Sequence, residues 1–436
     1  MQLSHDFWIA VSVFVVAYAL IMSEKVHRTV VALLGATALI VLKVLPQSEA
    51  FSAVDWNVIF LLAAMMIIIN VMVRTGVFEW IAIKTVRVAK GNPFVIMALM
   101  SLVTAVISAF LDNVTTVLLV APVTIFVAKE LKITPVPYLI TEAIASNIGG
   151  TATLIGDPPN IMIGSAAGLG FNQFLFNLTP VITLVFIFYV VTIRFMFRKS
   201  LHVDPQQKAA VMAMDPSKSL KDKPLLVKCL IVLGLVMIGF FTHETAHLEV
   251  ATVALGGAAI LLLITKLKPA DILREVEWPT LFFFVGLFIL VQGLVKVGAI
   301  AKLSGEVLKL TKGNLHATTM VMLWFSAFFS AVVDNIPYVA TMIPMVKEMI
   351  PTMASNPQTH HAFISGPLWW ALALGACLGG NGTLIGASAN IVVAGIAEEH
   401  RHPITFKEFL KYGFPLMIES IVICHLYLYF RYFAFS

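Results

Sequence analysis

Apolar stretches of about 20 residues, the length an α-helix needs to cross the hydrocarbon core of a bilayer, recur from one end of this chain to the other. They lie at roughly 7–22, 28–45, 56–74, 136–165, 179–197, 224–242, 249–266, 278–296, 367–396 and 412–432. A chain built this way has little choice but to be an all-α polytopic membrane protein. Composition agrees: only 12% of residues are charged, where a soluble domain carries about a quarter, and mean hydropathy is +0.93. The first run lacks a basic leader and a small-residue cleavage pattern, so it is expected to be a retained helix.

Two further segments, 94–130 and 317–350, are too long for one crossing and carry an Asp-Asn pair near the middle. Each is either a re-entrant hairpin or two crossings, and both options return the chain to the side it came from. Lys and Arg then collect on one set of connections, from Lys25 and Arg28 through Lys84, Arg87 and Lys90 to the polar stretch 200–223. The opposite set (46–55, 166–178 and 243–250) holds almost none, the main exception being 298–312 with Lys302, Lys309 and Lys312, the inverted copy of the basic stretch 77–90. The excess of basic residues marks the cytoplasmic side, which puts both termini outside. The net charge of +5 follows this sidedness and is no nucleic-acid footprint. Cys229, Cys377 and Cys424 lie far apart and suggest neither a disulfide framework nor a metal site.

The chain also repeats itself. "DWNVIF" at 55 matches "EWPTLF" at 277, "RTG" at 74 matches "KVG" at 296, "KGN" at 90 recurs at 312, and "SAFLDN" at 108 matches "SAVVDN" at 330. "GGTATLIGDPPN" (149–160) returns as "GGNGTLIGASAN" (379–390). Each half holds an odd number of crossings, so the halves have opposite orientations. The expected organisation is a first inverted repeat at 1–199, a cytoplasmic linker at 200–223 and a second repeat at 224–436. Inverted repeats with broken helices mark secondary transporters with a site near the bilayer midplane.

Four breaks supply that site. Pro158 and Pro159 remove backbone donors in mid-membrane sequence, and Gly379, Gly380, Gly382 and Gly386 loosen the matching element. Free N–H and C=O groups at such breaks survive at membrane depth only where they line a cavity or are buried in protein. The candidate binding residues are Asp112, Asn113, Thr115, Asn147, Gly149, Gly150, Thr151, Thr153, Asp157 and Asn160 from the first half. The second half offers Asp334, Asn335, Gly379, Gly380, Asn381, Thr383, Ser388 and Asn390. Asp112 and Asp334 also have the position of helix N-caps, a role compatible with binding. The breaks contain three carboxylates and neither Lys nor Arg, which favours a cation, or a neutral polyhydroxy solute exchanged for protons, over an exposed dicarboxylate. A desolvated carboxylate can load and release a proton near neutral pH, so Asp112, Asp157 and Asp334 are candidates for proton coupling. Glu142 is either a further proton relay or a residue at a water-filled mouth.

"HETAH" at 243–247 has the zinc-protease pattern, which needs both histidines on one helical face and a third ligand. It falls in a short loop at the end of a crossing, with only Glu249 nearby, and reads better as ordinary loop histidines. His360, His361, His400 and His402 are expected to be solvated. The amphipathic stretches 77–90 and 298–312 are read as interfacial helices linking a scaffold to a moving part. No cofactor or metal is expected.

At "FLDNVTTVLLVAPVTI", "SNIGGTATLIGDPPNIMIG", "VVDNIPYVATMIP" and "GACLGGNGTLIGASANIVVAGIAEEH" the chain resembles the ArsB/P-protein branch of the ion transporter superfamily, over essentially its full length. That branch contains arsenite/antimonite efflux antiporters, plant silicon exporters and melanosomal P proteins. The resemblance implies re-entrant hairpins at 94–130 and 317–350, a homodimer, elevator-type movement and, as in the arsenite exporters, proton coupling. It leaves association with an arsenite ATPase open. Dicarboxylate carriers, more distant relatives, place Ser-Asn-Thr at their hairpin tips, where this chain has Asp112-Asn113-Val114 and Asp334-Asn335-Ile336. The expectation is a multi-pass transporter of the inner membrane exporting arsenite or a similar metalloid hydroxide. The rivals are a Na⁺/H⁺ or other cation antiporter, then an anion or chloride transporter, with a membrane metalloprotease as the reading from another class.

Overall fold

The computed structural model describes residues 5–23, 25–198, 215–354 and 361–434. Glu24, His360 and most of the expected linker 200–223 lie outside the described residues. The first half contains α1 (His5–Ser23), α2 (Arg28–Val41), the short α3 (Gln47–Ser52), α4 (Trp56–Val73), α5 (Val77–Val88), α6 (Pro93–Ser108), α7 (Asn113–Glu130), α8 (Val136–Thr151), α9 (Pro158–Ala167) and α10 (Phe171–Met196). The second repeats that order: α11 (Lys223–Thr242), α12 (Val250–Thr265), the short α13 (Pro269–Arg274), α14 (Trp278–Lys296), α15 (Ala299–Leu310), α16 (Leu315–Ser330), α17 (Asn335–Ala354), α18 (His361–Gly379), α19 (Ser388–Glu399) and α20 (Phe406–Tyr432). Seven of these, α1, α4, α7, α10, α11, α14 and α20, are long and apolar enough to cross a membrane alone. Every expected crossing corresponds to a helix or to a pair of half-helices.

The repeat extends to backbone detail. Gly76 and Gly298, before α5 and α15, have φ of 75° and 74°, a left-handed conformation that glycine adopts without strain. Lys90-Gly91 and Lys312-Gly313, which end those helices, are both left-handed. Asn92 and Asn314 then cap α6 and α16, each accepting backbone N–H bonds. Gly76 has a second reason to be glycine: the Ser219 carbonyl oxygen sits 1.9 Å from where a Cβ would be. There Lys221 N donates to Thr75 O at 3.0 Å, docking the described end of the linker on the α4–α5 corner.

Packing sorts the helices into two groups, each drawing on both halves. In the first, α2 lies along α14, α4 along α12, and α1 and α11 close the group. In the second, α6 and α7 pack on α8, α16 and α17 on α18, α19 on α7 and α8, and α10 on α20. Few contacts join the groups, chiefly α14 with α17 and α4 with α9. The amphipathic helices α5 and α15 run from the ends of α4 and α14 onto the second group.

The hairpins are re-entrant. Their tips, at 109–112 and 331–334, meet the middle of the broken elements α8–α9 and α18–α19 rather than the far surface. Close approach makes this possible: a Cβ on Gly149 would fall 2.0 Å from the Ala105 carbonyl oxygen, and one on Gly379 2.5 Å from that of Ala327. Both collisions are with backbone, which cannot rotate away. Gly149→Ala and Gly379→Ala are each expected to lose the folded peak in detergent size-exclusion chromatography and to lower the melting temperature, as overpacking by about 1–3 kcal/mol or more would. Gly234→Ala, where nothing lies within 4 Å, serves as the control and should elute and melt like the parent.

Candidate functional site

Each hairpin turn places its aspartate by capping. Asp112 is the N-cap of α7, its Oδ1 accepting from Thr115 N at 2.9 Å, and Asp334 Oδ1 accepts from Ile336 N at 3.0 Å. The carboxylates thus complement the positive ends of α7 and α17, and the residues after them, Asn113 and Asn335, are turned into the interior and buried. Thr115 contributes through its backbone N–H in the first turn of α7.

The breaks are held open by two asparagines in equivalent places. Asn160 Nδ2 donates to the carbonyl oxygens of Thr153 (2.8 Å) and Thr151 (3.2 Å). Asn390 Nδ2 donates to those of Gly380 and Thr383, both at 2.9 Å. The hydroxyls of Thr153 and Thr383 bind the Ala109 and Ala331 carbonyl oxygens, tying each break to its own hairpin tip. Thr151 donates to Asn147 O at 2.7 Å. Gly150 and Gly380 face the carbonyls of Gly156 and Gly386, where a Cβ would come within 2.6 and 2.8 Å. These glycines let the two ends of each broken helix pass one another.

At the centre the halves interlock. Asn147 accepts from Asn113 Nδ2 at 3.0 Å and donates to Asn381 Oδ1 at 2.9 Å and Asn390 Oδ1 at 3.0 Å. Asp157 is fully buried and receives Asn335 Nδ2 at 3.3 Å, with Asn113 Nδ2 at 3.5 Å. Cys377 Sγ lies 3.5 Å from Asn160 Oδ1. The Nδ2 of Asn381 is buried without a partner. The halves differ at several positions, Asn147 standing where the second has Cys377 and Thr151 where it has Asn381. At another, Ala387 takes the backbone conformation and place of Asp157 (φ −147°, ψ 141° against −142°, 131°), so only the first break carries a carboxylate.

Two residues that the sequence reading left among the loops belong to the site. A cavity of about 20 Å³, enough for one water molecule, is lined by Asp112, Asp157, Glu277, Arg28, Asn335 and Ser388, among others. Arg28 Nη1 donates to Ser388 Oγ at 2.7 Å and lies 3.3 Å from Asp334 Oδ2, and Ser388 Oγ donates to the same oxygen at 2.7 Å. The expectation of a site without a basic residue is therefore corrected. The breaks contain none, but the start of α2 delivers one, and Glu277 before α14 adds a fourth carboxylate. Arg28 carried a signal of its own: a cation in the first turn of an apolar helix opposes the helix dipole and needs a partner. Glu277 matches Asp55, the N-cap of α4, in the repeat.

Glu142 lies apart from this cavity. It is 1% exposed, takes Thr124 Oγ1 at 2.5 Å, and its second carboxyl oxygen has no partner. A solvated mouth is excluded for it by that burial. "HETAH" forms turns beyond the end of α11, with His247 in the left-handed region, so its histidines share no helical face. His243 Nδ1 is engaged by Leu248 O at 3.1 Å, and no cluster of three or more ligating side chains occurs among the described residues. His400 and His402 are exposed.

A family profile described as citrate transporter matches residues 18–375. An uncharacterized transporter of Mycobacterium tuberculosis strain H37Rv is 47% identical over 430 residues, covering 98% of this chain and 99% of the relative. The human P protein is 34% identical over 502 residues, covering 96% of this chain and 59% of its own length. Among solved structures the YdaH transporter of Alcanivorax borkumensis has the same fold, with a TM-score of 0.60, 12% identity and coverage of 98% of each chain. The profile matches well over half of this all-helical polytopic chain, and the chain belongs to the citrate transporter family of the ion transporter superfamily.

Proposed function

We propose that this transporter is a proton-coupled antiporter of the inner membrane that exports a small neutral hydroxide of a metalloid, arsenite as As(OH)₃ or a close chemical equivalent. The observation that carries the reading is the charge of the site: three carboxylates, Asp112, Asp157 and Glu277, line a cavity of about 20 Å³, and the one guanidinium there, Arg28, is already engaged by Asp334. A tricarboxylate entering that space would meet uncompensated like charge in a medium of low dielectric. Neutral hydroxyl groups have partners of both kinds there. Their hydrogens can be donated to Asp112, Asp157 or Glu277, and their oxygens can accept from the Asn335 amide, which lines the same cavity. A carboxylate taken out of water is a natural proton carrier, and exchange follows if proton and solute compete for the same oxygens.

The separation into two helix groups supports an elevator movement, in which α6–α10 and α16–α20 carry the site past α1, α2, α4, α11, α12 and α14. The basic loops argue that the termini are outside and that the site adjoins the cytoplasmic ends of α2 and α14 here. The homodimer rests on the family resemblance, as does any arsenite ATPase partner.

A second reading has its own observation. Arg28 could clamp a carboxylate, as guanidinium groups do in bidentate fashion, and the family's description names citrate. Everted vesicles with an inward-acid pH gradient separate the two. Uptake of arsenite that collapses with the gradient, and falls by about tenfold or more (some 1.4 kcal/mol) in Asp157→Asn and Asp112→Asn, is the expected result. Uptake of labelled citrate that is lost in Arg28→Gln, with no arsenite uptake, would replace it by the anion reading. Dissipation of the gradient by Na⁺ alone would move the chain to the cation antiporters.

The metalloprotease alternative is tested beside it. Glu244→Gln should leave transport within about twofold of the parent, since loop residues away from the site rarely shift function by more than ~0.5 kcal/mol. Transport abolished by Glu244→Gln and spared by Asp112→Asn would mean that the site assignment is wrong.

A further inference from the structure

Among the described residues, Arg28–Asp334 is the one ion pair that joins the two helix groups; the pairs Arg74–Glu275 and Lys296–Glu49 stay within the first group. Arg28 is held from its own side. Its guanidinium carbon lies 5.2 Å from the centroid of Phe283 on α14, a buried ring that steers it by cation–π attraction. From there it reaches across to Ser388 at the start of α19 and to Asp334 at the hairpin tip. Beside the pair a crevice of about 270 Å³ separates the groups, with Val26 and Phe283 on one wall and Val332 and Ile385 on the other. The pair bridges this crevice, close to the Tyr18 hydroxyl of α1, which also crosses the boundary to Pro337 and Thr341 on α17.

The first half offers no such bridge. Val250 opens α12 where Arg28 opens α2, and Asp112 shares its cavity with the acid Glu277. One hairpin tip is thus compensated by a charge belonging to the other helix group, and the other is not.

We propose that Arg28 is a counter-ion borne on the first helix group that latches the unloaded second group in the conformation described, and that it is displaced when a solute hydroxyl takes its place on Asp334. This rests on the antiporter reading and adds its missing element, a reason why the empty carrier stays put. Removing one partner of a half-buried ion pair leaves the other charge poorly solvated, so movement with Asp334 ionised means breaking the pair with nothing in return. Once a solute holds Asp334 the pair is already open and this restraint on sliding is gone. The groups facing Asp334 are Arg28 and His27 at the start of α2, Ser388 on α19, Asp157 in the first break, and Tyr18 on α1, whose hydroxyl is engaged by Pro337 O at 2.5 Å and Thr341 at 2.6 Å. Of these, Arg28 is the one fixed positive charge.

The test uses cysteines at Val26 and Ile385, on opposite walls of the crevice, joined by a short bismaleimide in the reconstituted full chain. The native cysteines are all buried. Without solute the parent should cross-link efficiently. In Arg28→Gln the yield should fall by about fivefold or more, the lower range of coupling between sites. Arg28→Lys should retain most of it, and the exchanged pair Arg28→Asp with Asp334→Arg should restore it. A parent-like cross-link in Arg28→Gln, or an exchanged pair that does not recover it, overturns the latch. Absence of arsenite uptake in the parent would sink the antiport reading separately, because the cross-link is read without solute.

Discussion

A backbone carbonyl in the middle of a membrane must have a donor, and the architecture of this transporter depends on how that demand is met at two places. Breaking α8–α9 and α18–α19 releases carbonyls that water cannot reach. The carboxamides of Asn160 and Asn390 take them up, two or more each, and the hydroxyls of Thr153 and Thr383 lash the same stretches to the hairpin tips. These residues look like ligands in the sequence because they are polar and in the right place. In the fold they are what allows a site to exist, by leaving Asn147, Asn381 and the carboxylates free for other work.

On that frame the second layer is a chain of asparagine amides running from Asn113 through Asn147 to Asn381 and Asn390. It crosses from one repeat to the other without using a charge. The charged groups then sit at its rim: Asp157 under Asn335, Asp112 and Asp334 on their helix ends, Glu277 and Arg28 from the neighbouring group. A neutral spine with charges at its edge keeps the two halves joined without drawing on the charged groups.

Much of this was legible in the sequence, because crossing helices, breaks and repeats are local patterns. The hairpins, the half-helices and the capping aspartates follow from apolar run length, from Pro158-Pro159 and from the 222-residue repeat. Arg28 and Glu277 did not follow, for a physical reason. Both stand at helix starts, where basic and acidic residues are commonplace, and only the docking of one helix group against the other makes them part of the site. Glu142 failed in the opposite sense. Its neighbours in sequence gave no sign that Thr124, on another helix, would take it wholly out of water.

Two identical inverted halves would make inside and outside interchangeable, and the carrier would have no preferred side on which to wait. Here the exchange of halves replaces Asp157 by Ala387 and Arg28 by Val250. Turning the molecule over is therefore not a symmetry operation on its energy. The chain carries its own polarity, with Asp157 and Arg28 among the side chains that write it, and the proposed movement would not be evenly poised even across a membrane with no gradient.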